Sequence, residues 1–267
     1  MTDRTRAATE PAPTDNTGVA TAAVDPGAPD ADRADAAIAE LTPAQIAGRI
    51  QHTLIGQAIT ENEVREHVRE TVKYGFDAAI VPPTWVQAAR TELSGTHIRV
   101  GSIIDFPYGM MTTAGRVAEA KALVDAGVDE LDATVNIALL LSHRIDRFVE
   151  DLRALVQAAA PIGVKVMLEL PLLNQDQRVR VVQAAVDAGV AFVKNASRGA
   201  VGIADPASIS FLRRSVPPSI GVKASGGIKT IEQVRALLAA GADLIGTSSG
   251  VAIVGGDATA RGSLYSY

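Results

Sequence analysis

Beyond residue 45 the chain alternates between short apolar runs and longer amphipathic stretches. Eight runs rich in aliphatic or β-branched residues stand out: Ile50–Leu54, Asp77–Val81, Ile98–Ile104, Glu130–Val135, Val164–Glu169, Val190–Lys194, Ile220–Ala224 and Asp243–Thr247. Most are nearly continuous in apolar residues, the pattern of parallel strands covered on both faces. The stretches between them carry helical period. Thr60-Glu61-Asn62-Glu63 has the spacing of a capping box, and Val64, Val68 and Val72 then recur every fourth residue.

Glycine punctuates the helix ends. Gly75, Gly127, Gly189 and Gly241 each fall between a helical stretch and a strand, 52, 62 and 52 residues apart. Glycine takes the left-handed conformation there without a Cβ penalty. Eight βα units in roughly 220 residues predict a single α/β domain, a closed (β/α)8 TIM barrel over residues 36–254. A doubly wound open sheet is the alternative. It would usually show a Gly-rich dinucleotide loop after the first strand, where this chain has Gln51-His52-Thr53-Leu54.

The two ends read differently. Residues 1–35 are dominated by Ala, Pro, Asp and Thr, with no aromatic residue, Leu or Ile. Such a leader cannot bury enough apolar surface to offset its ordering entropy, so disorder is expected, with a first helix starting near Ala34. Residues 255–267 are expected to form a flexible tail. Residues 1–40 also hold three Arg against eight Asp or Glu; of the chain's 25 basic and 30 acidic residues this leaves 22 of each beyond. The body is neutral, which argues against a nucleic-acid surface. It is compatible with a homodimer.

Composition narrows the chemistry. The 267 residues contain no cysteine, which excludes a disulfide framework, a thiolate metal site and a Cys nucleophile. Four histidines leave little material for a metal centre, and no cofactor is expected. No apolar run reaches the roughly 18 residues of a membrane span. The opening Met1-Thr2-Asp3-Arg4 lacks the apolar core of a signal peptide, which points to a cytoplasmic protein.

In a (β/α)8 barrel the active site lies where the strands end. Polar residues closing apolar strands are therefore the candidates: Asp132, Glu169, Lys194 and Lys223. Lys194 and Lys223 end the sixth and seventh strands, which are neighbours. Two ammonium groups side by side disfavour each other's charge, so one of them should lose its proton more easily. A free amine near neutral pH attacks carbonyls to form a Schiff base. Asp132 could relay protons through a water, and Glu169 is read as a structural partner to either lysine. Two loops of small residues, Ser225-Gly226-Gly227 and Gly246-Thr247-Ser248-Ser249-Gly250, let backbone N–H groups approach an anion, the place where barrel enzymes frequently hold phosphate.

The phrase Val222-Lys223-Ala224-Ser225-Gly226-Gly227-Ile228-Lys229-Thr230 resembles the lysine motif of deoxyribose-phosphate aldolases. Gly246 to Val251 is similar to that family's final phosphate loop. His52-Thr53-Leu54, Phe106-Pro107-Tyr108-Gly109, Glu130-Leu131-Asp132 and Phe192-Val193-Lys194 follow in the family's order. The resemblance spans about residues 45–254. It implies a class I aldolase with a small phosphosugar or aldehyde substrate and no metal, with Lys194 as the Schiff-base lysine. Lys223 would then ease deprotonation of Lys194 and Asp132 would work the proton relay. Gly226, Gly227, Ser248 and Ser249 would hold the phosphate, and Tyr267 would match a terminal tyrosine that assists proton transfer in some members.

The chain departs from the family at strand ends: Gln51 replaces an Asp, Pro82 an Asn and Asp105 a Gly. Asn195-Ala196-Ser197-Arg198 replaces Thr-Ser-Thr-Gly. Arg198 has the fork geometry suited to phosphate or carboxylate. Three readings stand: cleavage of 2-deoxy-D-ribose 5-phosphate; Schiff-base chemistry on another aldehyde or larger phosphosugar, with Arg198 and Asp105 making new contacts; or a non-catalytic phosphosugar-binding barrel.

Overall fold

The computed structural model describes residues 36–255. The expected leader, residue Tyr267 and all but the first residue of the expected tail lie outside these. Eight strands run β1 (Ile50–Thr53), β2 (Ala78–Ile80), β3 (Arg99–Ile104), β4 (Glu130–Thr134), β5 (Val164–Met167), β6 (Phe192–Lys194), β7 (Gly221–Ser225) and β8 (Leu244–Thr247). All neighbours are parallel, in sequence order, and β8 closes on β1 with Ile50 opposite Ile245. A helix follows each strand: α1 (Glu61–Tyr74), α2 (Val86–Glu92), α3 (Thr113–Asp125), α4 (Ile145–Ala159), α5 (Gln175–Ala188), α6 (Pro206–Ser215), α7 (Ile231–Ala239) and α8 (Gly250–Ile253). The open-sheet alternative is excluded by this closure. Residues 36–39 are helical, close to the expected first helix.

Local signals account for the element ends. Thr60 and Glu63 form a reciprocal capping box at the start of α1. Gly75, Gly127, Gly189 and Gly241 all have positive φ, as the helix-to-strand turns require. The stripe on α1 differs from the expected one: Val64 and Val68 are buried, but Val72 is 40% exposed and Thr71 takes its place. Eight residues overshoot two helical turns by about 80°, whereas seven fall short by only about 20°. The fifth strand stops at Met167, two residues early, because Glu169 turns the chain with φ 53°.

Side-chain alternation splits the strands between two environments. Leu131 and Ala133, Val164 and Val166, Val193, Val222 and Ala224 belong to the main core between barrel and helices. Their alternates face the other way, into the barrel. Inside, Ala78, Ile80 and Ile103 form a small apolar cluster on β2 and β3. The lumen also holds a polar cluster, with Gln51, Glu130, Asp132, Lys165, Lys194 and Lys223 all buried. No helix among the described residues is long and apolar enough to cross a membrane.

Candidate active site

Parallel register brings the two sequence-identified lysines together. Lys194 and Lys223 are direct Cα partners in the β6–β7 ladder. Lys223 Nζ lies 2.6 Å and Lys194 Nζ 3.3 Å from one atom, Asp132 Oδ2, contributed by β4. All three residues are 1% exposed. A third amine completes the cluster: Lys165 Nζ, on β5, is 2.6 Å from Glu130 Oε2 and 3.6 Å from Asp132 Oδ1. Sequence reasoning passed over Lys165, the single charge inside Val164-Lys165-Val166-Met167.

The charges act on one another strongly. Burial pushes the Asp132 carboxyl upward, but the ammonium groups of Lys223, Lys194 and Lys165 outweigh it and hold the group well below the usual carboxylate range. Lys223 moves the opposite way. Burial, aided by Lys194 and Lys165 and opposed by Asp132, lowers its pKa from 10.5 to about 7.

The other sequence candidates fall in different places. Glu169 is buried within reach of the Lys194 charge. Its Oε1 accepts the Ser197 N–H at 2.8 Å, and burial raises its pKa, with Ser197, Lys194 and Arg198 pulling the other way. That hydrogen bond ties the β5 exit to the β6 loop. The Asp105 carboxylate accepts the N–H groups of Met110 (3.1 Å) and Met111 (2.9 Å) and faces buried Arg116. Asn195, one of the departures from the family pattern, clamps the Ser225 backbone through both amide ends at 2.9 Å. Pro82 leads into a short 3₁₀ turn over Pro83–Trp85.

The small-residue loops keep their backbone close and unblocked. Gly226 and Gly227 have φ of 104° and 68°, and a Cβ on Gly226 would come within 2.5 Å of the Gly202 carbonyl oxygen. Among the described residues, the N–H groups of Gly226, Gly227 and Ser248 have no protein acceptor. Ser249 N–H is turned onto Thr247 Oγ1 at 3.0 Å, so of the two serines only Ser248 leaves its amide available. Arg198 reaches over the loop after β3, its guanidinium 5.4 Å from the Tyr108 ring centre.

One group of metal-binding residue types occurs among the described residues, His52, His67 and Glu70. The two rings stack at 4.2 Å with planes 22° apart, and His67 Nε2 donates to the His52 carbonyl at 3.1 Å. Stacked rings direct their in-plane lone pairs side by side rather than at one ion, so the geometry is that of a packed pair.

No family model matches the chain. Individual relatives do. The deoxyribose-phosphate aldolase of Streptococcus equi subsp. zooepidemicus is 38% identical over 208 residues, 78% of this chain and 94% of that protein. Deoxyribose-phosphate aldolase 2 of Bacillus licheniformis is 40% identical over 212 residues, 79% of this chain and 95% of the other. The chain belongs to the deoxyribose-phosphate aldolase family. The deoxyribose-phosphate aldolase structure from Aeropyrum pernix, described as tetrameric, superposes with a TM-score of 0.76 at 31% identity, covering 86% of this chain and 97% of that one. The protein is thus a deoxyribose-phosphate-aldolase-type enzyme, an aldehyde-lyase by class.

Proposed function

We propose that the protein reversibly cleaves 2-deoxy-D-ribose 5-phosphate to acetaldehyde and D-glyceraldehyde 3-phosphate through a Schiff base on Lys194. The observation that carries this reading is the pair of neighbouring amines sharing one buried carboxylate oxygen. In the synthetic direction the Lys194 amine adds to the acetaldehyde carbonyl, and loss of water leaves an iminium. Its methyl carbon gives up a proton to form an enamine, which bonds to the aldehyde carbon of glyceraldehyde 3-phosphate while that oxygen takes a proton. Water then releases the product and restores the amine.

Proton traffic falls mainly to Lys223. A group with a pKa of about 7 both takes and gives protons near neutrality, whereas Asp132 stays ionised there. Asp132 then serves as the fixed anion that positions both amines. Its Oδ1 has no hydrogen-bond partner among the described residues and can accept from a water or substrate hydroxyl. The amides of Gly226, Gly227 and Ser248 supply the phosphate site. One observation favours a second reading, a different aldehyde or larger phosphosugar: Arg198, in the loop after β6, lies over the Tyr108 ring in the loop after β3 and brings a cation and a ring together.

Borohydride trapping followed by peptide mapping tests the proposal. Incubation with deoxyribose 5-phosphate should leave an adduct on Lys194, with acetaldehyde released, and Lys194→Leu should abolish both. An adduct with other carbonyls alone would favour the second reading. No adduct with any carbonyl would leave a phosphosugar-binding barrel.

A further inference from the structure

Gln51, at the second position of β1, is fully buried and makes three hydrogen bonds inside the barrel. Its Oε1 accepts from Lys223 Nζ at 2.6 Å. Its Nε2 donates to Glu130 Oε2 at 2.6 Å and to Asp77 Oδ2 at 2.9 Å. The amide orientation is forced. Turned over, it would aim N–H groups at an amine and an oxygen at two carboxylates. A carboxylate at this position would face those of Glu130 and Asp77, and an apolar side chain would leave all three partners short of a bond. Only an uncharged group with an acceptor at one edge and two donors at the other meets all three demands.

We propose that Gln51 is a positioning residue that couples the Lys223 amine to the acidic pair at the N-terminal end of the barrel and holds that amine against Asp132. The link is continuous. Glu130 also receives Lys165, and Asp77 and Glu130 both pair with Arg99. Asp132, Lys194 and Lys165 are the remaining charged groups around Lys223, while strands β2 and β8 flanking Gln51 contribute none. Gly246 on β8 leaves the space that the Lys223 stem fills, since a Cβ there would lie 3.0 Å from its Cε. Gln51 therefore gives Lys223 a second, neutral acceptor without adding a negative charge to the lumen.

The inference rests on Lys223 serving the proposed reaction, but its test needs no substrate. The Nζ resonance of Lys223 would be titrated by 15N NMR in four full-length proteins: wild type, Gln51→Met, Asp77→Asn and the double variant. Losing the acceptor weakens the ammonium form, so Gln51→Met should lower proton affinity about tenfold, one unit in the midpoint. Asp77→Asn should shift the midpoint in the wild-type background and not in Gln51→Met. If Gln51→Met does not fold, Gln51→Asn, a methylene too short to reach, replaces it with the same expectations. A midpoint unchanged by the Gln51 substitution, or equal Asp77→Asn shifts in both backgrounds, would overturn the proposal. Failure of wild type to trap any carbonyl would sink the aldolase reading alone.

Discussion

Lys194 and Lys223 stand opposite each other in adjacent strands, and both amines converge on Asp132 Oδ2. Each ammonium raises the cost of protonating the other, and one carboxylate offsets only part of that cost. Replacing Lys223 with Leu removes a positive neighbour of Lys194. The amine of Lys194 should then hold its proton to higher pH, and the acid limb of imine formation should move upward. A pH profile of trapping that coincides with the wild type would remove this role.

The same burial sets a stability trend. Unfolded, Lys223 titrates near 10.5; folded, at about 7. Between those values the unfolded chain binds the additional proton, so this group's contribution to stability rises with pH across the window and is level below it. Wild type should therefore gain on Lys223→Met as urea denaturation is moved from pH 7 to pH 10. A constant difference would show that Lys223 titrates normally in the fold.

Arg116, on α3, is fully buried between Asp151 and the Thr134 carbonyl, with Asp105 3.7 Å away. Replacing Asp151 with Ala leaves a buried guanidinium without its closest partner, a change costing about 3–5 kcal/mol. Arg116→Met combined with Asp151→Leu should cost less than the two single changes added together. Thermal melts of the three variants measure the coupling, and additive losses would count against a paired site.

Gly226→Ala and Gly75→Ala separate a functional turn from a structural one. Both positions have positive φ, but an added Cβ meets nothing within 4 Å at Gly75 and the Gly202 carbonyl at Gly226. Gly75→Ala should cost about 1 kcal/mol of stability and leave phosphate binding intact. Gly226→Ala must move the loop after β7, and calorimetry should find inorganic phosphate bound at least tenfold more weakly. Equal phosphate affinity in the two variants would place the anion elsewhere.

Arg198→Ala separates substrate contact from loop packing. An Arg198 that meets the substrate anion should, on removal, raise KM for phosphorylated substrates more than for unphosphorylated ones. An equal effect on both would leave Arg198 as the partner of Tyr108 that tethers two loops.

The barrel was legible in the sequence because its strands are covered on both sides and its helices end in glycine. Lys194, Lys223 and Asp132 were legible as charges read at the ends of apolar runs, although only Lys194 ends its strand, with Asp132 and Lys223 at the middle of β4 and β7. Lys165, enclosed by Val164 and Val166, was not read as such an end. Arg116 and Asp151 lie 35 residues apart on two helices, and neither helix marks the pairing. Asp105 was read as making new substrate contacts, and Asn195 as a change from the family pattern just after Lys194. Asp105 instead turns with φ 50° to cap its own loop, and Asn195 spends both amide ends on the next strand. Such commitments depend on which backbone N–H groups lie nearby, and only the folded chain determines that.

The pairing of Lys194 with Lys223 also separates two kinds of evolutionary change. Both amines face the lumen by strand alternation, so a one-residue slip of either strand would turn its lysine out among the helices. The proposed reactive centre is thus written into the ladder of main-chain hydrogen bonds, whereas Arg198, Gly226 and Ser248 sit on loops beyond it. Under the proposed chemistry, loop mutations can exchange one substrate for another while the amines stay at their posts, and a lineage can explore new aldehydes without first losing the proposed nucleophile.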